Sequence, residues 1–142
     1  MKDLINIYKY DCVRAASWVL ADVVSSKLSG SNGLLVPLPT IGRHIRERGY
    51  DHIKLIVKNT GLPYETILQR KNNAVQVGAS AEKRREQAKT AYIVKHAANP
   101  ETEYILFDDV WTTGSSLLAA REVLIKAGAQ KVSVAVLAKT VH

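Results

Sequence analysis

The segment YILFDDVWTTGSSLLAAREVL, residues 104–124, constrains the fold of this chain more than any other stretch. An apolar run leads into two adjacent carboxylates, then a short loop of small and hydroxyl-bearing residues, then a helical pattern. A strand that passes through a tight loop into a helix is a βα unit.

Similar units recur around it. The run at 34–38, bounded by Gly33 and Pro39, reads as a buried strand ending in a constrained loop. Residues 64–69 and 91–94 read as further strands. Residues 131–138, apolar on both faces, read as a central strand of a parallel sheet. Leu4, Ile5, Tyr8, Cys12, Ala16, Val19, Leu20, Val23 and Val24 recur at helical spacing and predict one opening helix, with Gly30 after it. An arginine-rich loop is expected at 40–50. A helix capped by Asp51 should run through Asn59, stopped by Gly61 and Pro63. A polar stretch at 72–80 leads into a charged helical stretch at 81–89, capped by Ser80, and a last helix at 115–126 is closed by Gly128. The alternation predicts an α/β fold, a Rossmann-like parallel sheet flanked by helices, with ligands at the carboxyl ends of the strands. With 142 residues, 46% of them hydrophobic, the chain should form one domain over 1–142.

The single cysteine, Cys12, sits on the apolar stripe of the first helix and is expected in the core. One cysteine supports neither a disulfide framework nor a four-ligand zinc site. The first residues are interrupted by charge, unlike a signal peptide or a membrane span, so a cytoplasmic setting without membrane contact is expected. The net charge of +7 is unevenly placed: residues 40–95 carry 12 basic against 5 acidic side chains, and the rest carries 8 of each. Such a concentration suits a polyanion, either a diphosphate-bearing metabolite or a nucleic acid backbone.

The loop after the two acids has a chemical reading. A helix N-terminus presents unpaired N–H groups and a partial positive charge, so Thr112, Thr113, Gly114, Ser115 and Ser116 can cradle a phosphate, with Gly114 admitting close backbone approach. Asp108 and Asp109 would be repelled by that phosphate and suit neutral hydroxyls beside it. A phosphate next to vicinal hydroxyls is a ribose 5-phosphate. The plainer reading, Asp109 capping a turn and Thr112 or Thr113 capping the helix, accounts for one acid but not for two acids and five loop residues together. Trp111 reads as a packing residue, with stacking on a base as the alternative, and His44, His52 and His96, without identifiable partners, read as surface residues, with an acid/base role as the alternative.

This pattern closely resembles the 5-phosphoribosyl-1-diphosphate (PRPP) signature of type I phosphoribosyltransferases, with Ser116 where Thr is usual. VPLP at 36–39, RERGYDH at 46–52 and QVGASAEKRREQAKTAY at 76–92 are similar, in the same order, to stretches of the ComF/GntX-type proteins. Arg46, Arg48, Gly49, Gln76, Gly78 and Arg84 match, and Tyr50 stands for Phe. Asp51 and His52 replace Asn and Gln, Ala79 replaces Leu, and Gln87 replaces Asn. The cysteine-rich zinc ribbon frequent in that family is absent from these residues.

The resemblance implies a type I phosphoribosyltransferase fold and transfer of phosphoribose from PRPP, with release of diphosphate, to an unidentified nucleobase or other amine. It implies Asp108 and Asp109 as the catalytic acids. Pro37, Leu38, Pro39 and Thr40, with Arg46, Arg48 and Arg84, would meet the diphosphate, while Arg43, Lys83, Arg85 and Lys89 fit a solvated face and 83–89 also fits a flap. Magnesium is expected to arrive on PRPP without direct protein ligands. A homodimer is compatible with the resemblance. The second reading is a non-catalytic PRPP-binding or DNA-uptake accessory protein of the ComF type, in contact with DNA.

Overall fold

Strand β4 (Glu103–Trp111) is the axis of the molecule. In the computed structural model, which describes residues 1–10, 14–71, 80, 82–83 and 91–139, β4 pairs in parallel with β1 (Leu34–Pro37) on one side and with β5 (Lys131–Lys139) on the other. A parallel bridge from Leu35 to Tyr64 lies beside β1. Helices α1 (Lys2–Tyr10), α2 (Ala16–Lys27) and α4 (His52–Asn59) cover one face of the sheet. Helix α5 (Ser115–Lys126) covers the other, beside an antiparallel ribbon of β2 (Leu68–Arg70) and β3 (Tyr92–Val94). Helix α3 (Gly42–Arg48) lies between β1 and α4 in the chain. This is the α/β arrangement expected, a parallel sheet flanked by helices.

Strand parity builds the two cores, because successive side chains leave a strand on opposite faces. Ile105 and Phe107 join Leu35, Leu20, Val24, Ile53 and Ile56 on the first face. Tyr104 and Leu106 join Val36, Leu117, Ala120 and Leu124 on the second. The apolar run of β4 is therefore buried on both sides.

Several expectations are corrected. The opening helix is two helices, α1 and α2, with Arg14 and Ala15 in a turn before the second. A single straight helix over 4–24 would span about 30 Å, too long to lay both stripes on one small core. Breaking it lets Tyr8 pack against Tyr50, ring centres 5.6 Å apart, while α2 buries Leu20, Ala21 and Val24. The stretch at 40–50 is no loop: it holds α3, closed by Gly49 at φ 81° with its N–H donating to Ile45 O. The last strand lies at the margin of the sheet among the described residues, and β4 takes the centre. Helices cover β5 on both faces even there, which is why it is apolar on both. Residues 64–69 split into the Tyr64 bridge and β2, which pairs with the ribbon and not with the sheet. Asp51 caps α4 as expected, its Oδ1 accepting from Lys54 N at 3.2 Å. Most of 72–80 and 81–89, and Cys12, lie outside the described residues. Among the described residues no helix is long and apolar enough to cross a membrane.

Helix α1 is fastened to α4 by Tyr8, which is fully buried and donates from its hydroxyl to His52 O at 2.6 Å. Tyr8→Phe removes that hydroxyl donor and is expected to lower the unfolding free energy by about 1 kcal/mol, measured by urea denaturation.

Candidate active site

The carboxyl end of β4 carries Asp108 and Asp109, and the same parity that sorts the core sends them apart. Asp109 follows Ile105 and Phe107 toward α1 and α4 and is 5% exposed. Its Oδ1 accepts from Val110 N at 2.8 Å. Its Oδ2 lies 2.9 Å from Lys9 Nζ and 3.5 Å from His52 Nε2. These partners hold the Asp109 carboxyl below its usual range against the opposing effect of burial. Asp108 follows Tyr104 and Leu106 toward α5 and the ribbon, and its Oδ1 accepts from Asp109 N at 2.9 Å. Burial, then the neighbouring Asp109 charge, push the Asp108 carboxyl up to about 7. Two adjacent acids thus meet opposite environments.

Beyond them the chain turns through Thr112, Thr113 and Gly114 into α5. Gly114 sits at φ 78°, and a Cβ there would fall 2.4 Å from Trp111 Cζ2. Glycine is required both by the backbone conformation and by the indole packed beneath it. Trp111 is thus a packing residue, with Lys139 Nζ 5.8 Å from its ring centre. Gly114 brings no side chain to cap the helix, which leaves first-turn N–H groups to a ligand. Thr113 Oγ1 lies 2.9 Å from Ser115 Oγ and accepts from Ser115 N at 3.3 Å. Residues 112–116 line a hollow of about 50 Å³ together with Asp108 and Trp111. It adjoins a cleft of about 230 Å³ lined by Leu38, Pro39, Thr40, both acids, Lys9, Arg70 and Tyr92. Asp108, Val110, Thr112 and Ser116 line both.

Not every predicted site residue comes to this place. Leu38, Pro39 and Thr40 line the cleft, and Pro37 is the buried last residue of β1. Thr40 Oγ1 donates to Asp51 Oδ1 at 3.0 Å, tying the loop after β1 to the cap of α4. Arg46 is exposed on α3 and does not line the cleft. Arg48 turns inward, donating from Nε to Lys9 O at 3.0 Å and from Nη1 to His52 Nδ1 at 2.7 Å. Arg84 lies outside the described residues, as do Gln76, Gly78, Arg85 and Lys89. Lys83 is exposed, and its N–H donates to Ser80 Oγ.

His52, expected at the surface, is 5% exposed and lines the cleft, with Nδ1 2.7 Å from Arg48 Nη1 and Nε2 3.5 Å from Asp109 Oδ2. His44 lines the cleft, its pKa lowered by loss of water and by the guanidinium groups of Arg48 and Arg43. His96 is at the surface, paired with Glu65.

The sequence reading missed Lys9, Arg70 and Tyr92. Arg70 ends β2 with its guanidinium 5.2 Å over the Tyr92 ring, and its buried Nε has no hydrogen-bond partner among the described residues. Burial raises the Tyr92 hydroxyl, which faces Ser116. The surplus of basic residues over 40–95 contained Arg70 without distinguishing it, and nothing near Lys9 points across a hundred residues to Asp109.

No family model matches the chain. It is 25% identical over 135 residues to competence protein ComFC of Streptococcus pneumoniae, covering 93% of this chain and 60% of that protein. In fold it is similar to the allosteric regulatory enzyme of purine biosynthesis, with a TM-score of 0.59 and 16% identity. It is also similar to the glutamine PRPP amidotransferase of B. subtilis, with a TM-score of 0.58 and 16% identity. Each match covers 88% of this chain and 26% of the enzyme. The chain therefore spans less than two thirds of the length of each of these proteins.

The raised Asp108 carboxyl sets a stability signature. Its ordinary value is 3.8, so between about 4 and about 7 the folded protein binds more protons than the unfolded chain, and stability falls as pH rises through that window. Asp108→Asn lacks this penalty. Its melting temperature should exceed that of the unaltered protein at about pH 8, with the difference vanishing near about pH 4, read by calorimetry at both.

Proposed function

We propose that this chain, which has the fold of type I phosphoribosyltransferases and a relative in ComFC, binds PRPP at the end of β4 and transfers its phosphoribosyl group to an amine acceptor. The observation that carries the reading is the junction of two hollows at Asp108. One is walled by the start of a helix and by hydroxyls, suited to a phosphate; the other is larger and holds cationic side chains. In this reading the 5-phosphate sits in the hollow of Thr112, Thr113, Gly114, Ser115 and Ser116. The ribose hydroxyls meet the acids. The diphosphate extends toward Leu38, Pro39, Thr40 and Arg70, whose guanidinium suits paired contacts to phosphate oxygens. Magnesium is part of the substrate, held on the diphosphate and its waters.

The transfer breaks the bond from the anomeric carbon to the diphosphate oxygen as an amine nitrogen adds to that carbon and loses a proton. Positive charge develops on the ribose ring, and a nearby carboxylate favours it, while cations around the cleft favour the leaving diphosphate. The acceptor is a nucleobase or another amine.

A second reading draws on the similarity to a competence protein and on Arg43 and Arg46, exposed together on α3. It is an accessory protein that binds PRPP without turnover, or contacts DNA. DNA affinity resting on several phosphate contacts collapses between low and physiological salt, whereas a pocket-bound metabolite depends chiefly on magnesium.

Calorimetric titration of PRPP, with and without Mg²⁺, tests the first reading. The unaltered protein should bind saturably and only with magnesium. Gly114→Ala, which drives a methyl into the Trp111 ring, should bind at least about tenfold more weakly. No binding by the unaltered protein overturns the assignment.

A further inference from the structure

One side chain in the cleft wall can carry a positive charge and has nothing to pair with. His44 lies half-buried on α3, next to Ile41 and the loop of Leu38, Pro39 and Thr40. The other two described histidines each face a carboxylate, His52 that of Asp109 and His96 that of Glu65. Among the described residues the His44 ring has neither an ion pair nor a hydrogen bond. Glu47, three residues on, instead pairs with Arg43 at 3.7 Å, both side chains exposed. Arg48 follows one helical turn after His44 and so shares its face of α3. Its Nε and Nη1 are committed to Lys9 O and His52 Nδ1, and it has no carboxylate partner among the described residues.

His44 therefore stands between a fixed guanidinium and an open cleft. Loss of water, then the charges of Arg48 and Arg43, hold its pKa below the ordinary value against the opposing Glu47, and His52 adds to the lowering. What this wall lacks is an anion. The same lack shows at Arg70, a second cation of the cleft, whose buried Nε has no hydrogen-bond partner among the described residues. A multiply charged anion set against His44 favours the imidazolium and gains a second N–H donor from it.

We propose that His44 is a further contact of the diphosphate group and becomes charged there, so that one proton is bound together with the ligand. The proposal rests on the reading of the cleft as a PRPP site. The sign follows from linkage: between the pKa of the free protein and the higher pKa of the complex, the complex holds more protons, so affinity falls as pH rises through that window and levels off above it. Lys9, His52, Arg70, Tyr92, Asp108 and Asp109 also line the cleft, and the diphosphate itself titrates. All of these are common to the unaltered protein and a His44 variant, so the difference between the two belongs to His44.

Inorganic diphosphate with saturating Mg²⁺ is the probe. The His44 ring signal, identified by its loss in His44→Gln, is followed by proton NMR over a pH titration. Its pKa should rise by at least about one unit when the site is saturated, while that of His96, outside the cleft, stays in place. Calorimetric titrations at about pH 6 and about pH 8 supply the second readout. The affinity of the unaltered protein, taken relative to His44→Gln at each pH, should fall about three- to tenfold across that interval. His44→Lys, charged at both, should not show the fall.

Binding of diphosphate with an unmoved His44 pKa, or an equal pH dependence in His44→Gln, overturns the proposal and leaves the PRPP site standing. Absence of binding of both diphosphate and PRPP by the unaltered protein overturns the PRPP site and the proposal with it.

Discussion

Strand β4 is paired on both edges and covered on both faces, so the parity of its residues governs everything built on it. Odd positions 105 and 107 enter the core under α1, α2 and α4; even positions 104 and 106 enter the core under α5. The rule does not stop where the apolar residues stop. Carried two steps further it turns Asp109 toward α1 and α4 and Asp108 toward the loop at 112–116. A one-residue slip of the strand would exchange the two cores and the two acids at once. Packing and site are specified by one register, Leu35 opposite Ile105 and Val36 opposite Leu106.

Burial of a carboxylate is tolerated only where charge and hydrogen bonds answer it. Asp109 is answered by an ammonium from α1 and by the first turn of α4, and that need shapes the N-terminal part of the molecule. Lys9 reaches Asp109 from the last turn of α1. Tyr8, one residue before, holds the end of α1 through His52 O, and Tyr50 OH donates in turn to Tyr8 O. Arg48 closes the same corner by binding Lys9 O and His52. Its guanidinium thus joins α3 to α1 and α4.

The sheet, the βα unit and the tight turn into α5 were legible because each rests on local chemistry: an apolar run, a glycine at positive φ, hydroxyls at a helix start. Asp51 as a helix cap was legible for the same reason. The break between α1 and α2 was not, since the stripe from Leu4 to Val24 keeps helical spacing on both sides and only the size of the core forbids one rod. Strand β5 misled because apolarity on both faces reports cover by helices, not a central position. The partners of Asp109 lie 57 and 100 residues away along the chain, at His52 and Lys9, and no local pattern encodes a pairing of that separation. The positive surplus over 40–95 is real, yet it is divided: Arg70 reaches the cleft, Arg48 the interior, and Arg43 and Arg46 the solvent.

Asp51 and His52 are neighbours in the chain and both depart from the ComF-like pattern, and their side chains serve opposite walls of the cleft. Asp51 Oδ1 receives Thr40 Oγ1 and so holds the loop that follows β1, while also capping α4. His52, the first residue of that helix, reaches across to the end of β4. The N-terminus of α4 is thus a bracket between the two strand ends that form the cleft. Helix α4 touches both Thr40, through Asp51, and Asp109, through His52. The spacing between the loop after β1 and the acids of β4 is set first by the β1–β4 ladder, which Leu38 N continues by donating to Phe107 O at 2.9 Å, and the start of α4 braces both walls from behind. A ligand that spans the cleft meets walls already held at a fixed separation, and less of its binding free energy is lost to ordering them.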